Sequence, residues 1–150
     1  MSKRRRIKVV IDTNVFVANA LARNPRSPNR RVIRLWLVAR RFKLVFSNEV
    51  KEEYLRIFEG VLDFDSEKIK GWRRRFDNKI IAKTVRLGAR PHMSRDPDDN
   101  IFIATAIAAR AQFIVTNDRD LLEIAEADRR RLKFKIITPE QFLEYWESSS

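Results

Sequence analysis

The residues that could do chemistry are carboxylates, and they fall in four places along the 150-residue chain. Asp12 follows the β-branched stretch Ile7–Ile11. Glu53 stands six residues after Ser47, inside a half-apolar stretch. Asp96, Asp98 and Asp99 precede a long apolar run. Asp118 and Asp120 follow the short run Phe113–Thr116. Carboxylates drawn within a few ångströms repel one another and raise one another's pKa. A fold keeps such a set chiefly when divalent cations neutralise it. Oxygen-only ligands suit Mg²⁺ or Mn²⁺. The chain has no cysteine and one histidine; His92 reads as a loop residue rather than a general base, so zinc is disfavoured. Hard cations held by carboxylates can activate a water, position a phosphodiester and stabilise the leaving oxygen.

The elements that must position these acids follow from the patterning. Ile7–Ile11 is rich in β-branched residues and reads as a strand. Val15–Ala22 begins a helix with Thr13 or Asn14 as its cap. Arg23–Arg30 carries two prolines and reads as a loop. Arg31–Phe42 is amphipathic, with Val32, Leu35, Trp36 and Ala39 on one face. Lys43–Phe46 is a second strand. Ser47 caps a helix whose apolar face is Val50, Tyr54, Ile57 and Phe58. Gly60–Asp65 is a break. Ser66–Thr84 reads as a helix, apolar at Ile69, Trp72, Phe76, Ile80 and Ile81 and densely basic opposite. Lys83–Leu87 could add a short strand, and Gly88–Pro91 a turn. Ile101–Ala111 is apolar around the whole helical wheel, the signature of a buried helix. Phe113–Thr116 is a buried strand. A short charged helix over Leu122–Arg131, a strand over Lys133–Ile137 and a helix begun by Thr138-Pro139 complete the chain.

Strands alternating with helices predict an α/β fold, an α/β/α sandwich around a mostly parallel sheet. Sites in such sheets lie at the carboxyl ends of the strands. Asp12 and Asp118 each follow a strand directly. Asp99 and Glu53 lie near the starts of helices that follow strands. All four can face one crevice. The chain reads as one domain over residues 1–150, with a basic arm at 1–6 and a tail at 148–150.

Lys and Arg number 32 against 20 Asp and Glu, a net charge of +12. That balance points to a polyanionic partner such as nucleic acid. The hydrophobic share of 44% fits a globular fold rather than a disordered one. The absence of cysteine fits a reducing, cytoplasmic setting. Lys3–Arg6 before an apolar run imitates a signal peptide, but Asp12, Thr13 and Asn14 interrupt it. No stretch reaches the ~20 apolar residues of a membrane span.

Each candidate also has a plain structural role. Asp98 or Asp99 could cap the Ile101 helix, and Asp120 could begin the next one. Asp96 could be a turn residue or part of an outer metal shell. Glu53 could be a solvated helix residue. Thr13, Asn14, Thr116 and Asn117 could orient the acids or merely cap. The basic face with Lys68, Lys70, Arg73, Arg74, Arg75, Lys79 and Lys83 could be a solvated surface or could touch phosphates. Asp12 has the weakest structural explanation, because an Asp ending a buried strand rarely serves packing.

Four segments together resemble the PIN-domain ribonucleases, including the VapC-type toxins. They are Val10–Val15, Ser47 with Glu53, Asp96-Pro97-Asp98-Asp99 before an Ala-rich helix, and Val115–Leu121. Their order and spacing hold from about Lys8 to Phe142. The resemblance implies a Mg²⁺- or Mn²⁺-dependent endoribonuclease with Asp12, Glu53, Asp99 and Asp118 as the acidic set, on an α/β/α sandwich and often as a homodimer. Asp96 is expected beside the metal, and Arg73, Arg74, Arg75 and Lys79 on RNA. An antitoxin chain is an implied partner; related folds also serve RNA processing and decay. Two rivals stand beside this reading. A haloacid-dehalogenase-type phosphotransferase wants a second Asp where this chain has Asn14. A non-catalytic RNA-binding module would use the basic face and leave the acids unexplained.

Overall fold

The computed structural model describes residues 6–88, 93–94, 96–124 and 126–149. His92, Lys3–Arg5 and most of the expected turn at Gly88–Pro91 lie outside them.

Five strands form one sheet in the order β3-β2-β1-β4-β5, and every pairing is parallel. They are β1 (Ile7–Ile11), β2 (Phe42–Ser47), β3 (Ala82–Val85), β4 (Phe113–Val115) and β5 (Lys135–Ile137). Helices flank the sheet in an α/β/α sandwich: α1 (Thr13–Leu21), α2 (Pro28–Leu37), α3 (Asn48–Gly60), α4 (Ser66–Phe76), α5 (Asn100–Ala109), α6 (Arg119–Leu122), α7 (Glu126–Arg130) and α8 (Pro139–Ser149). The order fixes where a site can form. The chain moves outward from β1 to β2 to β3, then returns to the other side of β1 as β4. At such a reversal the connections after neighbouring strands diverge and open a crevice at the carboxyl ends. Here that point is β1 beside β4, with Val9 against Phe113 and Ile11 against Val115.

Apolar burial holds this frame. Val9, Val10 and Ile11 of β1 are fully buried, as are Leu44, Val45 and Phe46 of β2 and Ile114 and Val115 of β4. Strands buried on both faces read as continuous apolar runs. Phe16 from α1 meets the rings of Trp36, Tyr54, Phe58, Trp72 and Phe76 at centroid distances of 4.7–6.0 Å. One aromatic cluster therefore joins α1, α2, α3 and α4. Such edge-to-face contacts add to area burial. Leu55, rather than Ile57, completes the buried face of α3.

Several boundaries differ from the sequence expectation. α1 starts at Thr13, with Asp12 in the capping position and no side-chain cap bond. α2 begins inside the expected loop, because Pro28 at the first helical position is preorganised for a helix start. It ends at Leu37, and Arg40 at a φ of 52° turns the chain into β2. α4 stops at Phe76, not Thr84. Asn78 Oδ1 accepts from the Ile80 amide at 2.9 Å, a side-chain turn that competes with the helix. Ile80 is then 55% exposed while Ile81 is buried. The Trp36 indole donates to the Ile81 carbonyl at 2.7 Å, and β3 pairs with β2. α5 is not buried all round: Ile107 is 51% exposed, and the helix ends at Arg110 with a φ of 54°. The charged segment after β4 splits into α6 and α7. β5 starts two residues later than expected. α8 starts as expected: Thr138 Oγ1 accepts from the Gln141 amide at 3.1 Å, and Gln141 Oε1 accepts from the Thr138 amide at 2.9 Å, a reciprocal cap.

Candidate metal centre

Asp12 sits where β1 ends. Its amide donates to the Val115 carbonyl at 2.9 Å, which ties the two strand ends together. Its Oδ2 accepts from Thr116 Oγ1 at 2.6 Å and from Asn14 Nδ2 at 3.1 Å. The fully buried Tyr54 hydroxyl donates to the carbonyl of Ile11, so α3 braces the residue before Asp12. α3 is itself placed by Ser47, whose Oγ accepts from the Val50 amide at 3.2 Å. One turn along, Glu53 Oε2 accepts from Thr13 Oγ1 at 2.7 Å.

Asp99 arrives by a 3-10 turn, Pro97–Asp99. Asp96 caps that turn, accepting from the Asp98 amide at 2.9 Å. Asp99 makes no side-chain cap bond to α5, so capping does not explain it. Its Oδ2 accepts from Ser94 Oγ at 3.1 Å. Asn100 Oδ1 accepts from the amides of Met93 and Ser94 at 3.1 and 3.0 Å, which fastens that segment to the start of α5. Asp98 is exposed.

Asp118 follows β4. Its amide donates to Thr116 Oγ1 at 2.8 Å, and its Oδ1 accepts from the Asp120 amide at 2.8 Å. The Asn117 amide donates to Asn14 Oδ1 at 3.2 Å. A backbone amide can only donate, so this bond fixes which way the Asn14 amide points and leaves its Nδ2 for Asp12. Asn117 Nδ2 in turn donates to Asn29 Oδ1 at 2.8 Å.

Carboxylate oxygens of Asp12, Asp99 and Asp118 lie within 4.8 Å of one another, and those of Asp96, Asp99 and Asp120 do the same. The two triads share Asp99. Glu53 stands outside both, though its charge is felt at Asp12. Thr13, Asn14, Thr116 and Asn117 all bond to this network. Ser94, Asn100 and Asn29 belong to it as well. They carried no sequence signal, since a lone Ser or Asn in a loop or helix start is ordinary.

Electrostatics mark the centre as short of positive charge. Burial pushes the Asp12 carboxyl up to about 6; the Thr116 hydrogen bond opposes this, and the charges of Asp118 and Glu53 add to it. Burial also pushes Asp99 up to about 8, helped by its contact with Asp118. Tyr54 is raised well above its usual range by burial and by the charges of Asp12 and Glu53. Oxygen donors whose charged forms are penalised this close together fit a hard divalent cation. In its absence the folded protein binds protons that the unfolded chain releases near pH 3.8. The metal-free fold is therefore most stable below that pH with respect to these two groups. It loses their contribution as pH rises, through about 6 for Asp12 and about 8 for Asp99. Urea melts in EDTA across pH 4 to 8 are expected to show this decline, and Asp99→Asn is expected to flatten its upper half.

The basic residues of α4 have different neighbours. Arg73 pairs with Glu52 at 3.6 Å and Lys70 with Glu67 at 3.4 Å. Arg75 lies 4.6 Å over the Trp72 ring. Arg74 is exposed, and Lys79 sits in the turn beyond α4.

The profile of the PIN domain matches residues 8–120, from β1 through Asp120. Along the chain, 28% of 151 aligned residues are identical to an uncharacterized protein of Methanocaldococcus jannaschii, MJ1680, with 95% of this chain and 93% of that protein covered. Among solved structures it resembles a chain of VapBC2 from Rickettsia felis, determined bound to a DNA fragment from the promoter of that pair. That likeness has a TM-score of 0.54 and 16% identity, over 88% of this chain and 98% of that chain, and is one of fold. Since the profile match runs through both strands and all three acidic segments that build the centre, the chain belongs to the PIN domain family.

Proposed function

We propose that this protein is a divalent-metal-dependent endoribonuclease that hydrolyses phosphodiester bonds in RNA. The observation that carries the reading is the meeting of Asp12, Asp99 and Asp118 within 4.8 Å at the β1–β4 crevice, in a chain of net charge +12. These three carboxylates would hold Mg²⁺ or Mn²⁺, with Asp96 and Asp120 extending the set through Asp99. Bound there, the cation supplies a Lewis acid for the phosphodiester and makes water a better nucleophile. Thr116 and Asn14 hold Asp12 Oδ2 and so fix the orientation of the carboxylate toward the other two acids. Glu53, steadied by Thr13, takes a proton from the attacking water. Cations of α4 that no carboxylate answers bind the RNA backbone without reading its sequence.

An antitoxin chain is the partner this reading implies, and the fold shared with a VapBC2 chain supports it. Incubation with total cellular RNA, with Mn²⁺ or Mg²⁺ and with EDTA, tests the activity; mapping of the ends identifies the bond cut. Discrete new ends in metal and none in EDTA are expected. Equal cleavage in both would remove the metal centre from the reaction.

A further inference from the structure

Lys70 and Arg73 are answered by carboxylates; Lys68 and Arg75 are not. Among the described residues neither has an acidic partner. They stand seven residues apart on α4 with Trp72 between them, so all three share one side of the helix. Each cationic head rests on an aromatic ring instead. Lys68 Nζ is 4.2 Å from the Phe64 centroid, and the Arg75 guanidinium is 4.6 Å from that of Trp72. Cation–π contacts place a charge without neutralising it. Arg30 from the first turn of α2 joins them, its Nη1 held by the Ala22 carbonyl at 3.3 Å. The three cations line a cavity of about 300 Å³ whose wall contains no acidic residue. That volume is at the small end of ligand sites. Uncompensated like charges set around a hollow focus a field that favours an anion. The hollow is also tied to the acidic centre: Arg30 follows Asn29, which accepts from Asn117, the neighbour of Asp118.

We propose that Arg30, Lys68 and Arg75 form a phosphate subsite that holds the backbone of an RNA strand beside the acidic centre. The proposal rests on the nuclease reading and names where the strand is gripped away from the bond that is cut. Its test separates the two. Binding of a short single-stranded oligoribonucleotide is measured in EDTA in the Asp12→Asn background, so that no cleavage enters. Two double variants remove the same charge: Lys68→Gln with Arg75→Gln, and Lys70→Gln with Arg73→Gln. The first is expected to weaken binding roughly tenfold and to lower the salt slope by about 1.4, two contacts at about 0.7 each. The second is expected to change affinity by about twofold or less, because a carboxylate beside each of its cations offsets the charge an RNA strand would meet. Equal losses in the two doubles would overturn the subsite in favour of a diffuse field. Unchanged RNA affinity in the first double would also overturn it and leave the hollow to an acidic protein. Thermal melts check that each variant folds. Should the first double fail to fold, Lys68→Gln alone, at an exposed position, is expected to lower the slope by about 0.7, and no change would overturn the subsite. A selective loss in the first double together with a wild type that cuts no RNA in Mn²⁺ sinks the nuclease reading and keeps the subsite. The converse pair of results does the opposite.

Discussion

Asp12→Asn is expected to abolish metal-dependent RNA cleavage while leaving the fold intact. Asp12 Oδ2 accepts from Thr116 and Asn14. An Asn here can keep both bonds by placing its carbonyl oxygen where Oδ2 stands. Its NH₂ then faces the position of Oδ1 and offers a donor where a cation needs an acceptor. The shape is kept and the ligand is lost. Changes in the outer shell of a metal site typically cost 10–100-fold, so loss of a direct ligand should cost at least ~100-fold. Cleavage rates at saturating Mn²⁺, beside thermal melts in EDTA, decide it. Full activity in Asp12→Asn would take this residue out of the reaction. A collapse of the fold would show that burial of Asp12, not metal binding, is what the sequence selects.

Asp99→Asn should separate stability from metal binding even more sharply. A cation that binds only the folded protein adds about 2.7 kcal/mol at ~100 times its Kd. Wild type should therefore melt higher in Mn²⁺ than in EDTA. The variant should lose most of that gain, because Asp99 is common to both carboxylate triads. In EDTA it should melt at or above wild type, since one of the mutually repelling charges is gone. Ser94 Oγ can still donate to the Asn carbonyl. The EDTA comparison is best made at pH 8 or above, where Asp99 is substantially ionised in the metal-free wild type. An undiminished Mn²⁺ shift in Asp99→Asn would remove Asp99 from the metal centre.

The sequence determined the parts that depend on local pattern. Val9–Ile11 and Phe113–Val115 are apolar without interruption because strand segments buried on both faces have no solvent side. The acids that follow them were legible for the same reason: a charge directly after such a run has no packing role. Ser47 and the Thr138–Gln141 pair announced their helices because capping is a short-range bond. The parallel sheet followed from the alternation of strands and helices, and the crevice from the acids at the strand ends.

Tertiary structure decided the rest, because the deciding partners are far apart in the chain. The spacing of Ile69, Trp72, Phe76 and Ile80 continues a helical face, yet α4 ends at Phe76. Pairing of Ala82–Val85 with β2 and burial of Ile81 outweigh that local preference. Asn29 enters the acidic network through Asn117, 88 residues away. The sequence left capping of the Ile101 helix open between Asp98 and Asp99; Asp99 makes no cap bond, and its carboxylate instead meets Ser94 and the two triads. The basic residues looked equivalent as a string of letters. Folding sorted them, setting Glu52 beside Arg73 and rings beneath Lys68 and Arg75. Sequence spacing fixes which side of a helix a charge occupies; only the neighbouring elements determine whether that charge is already neutralised.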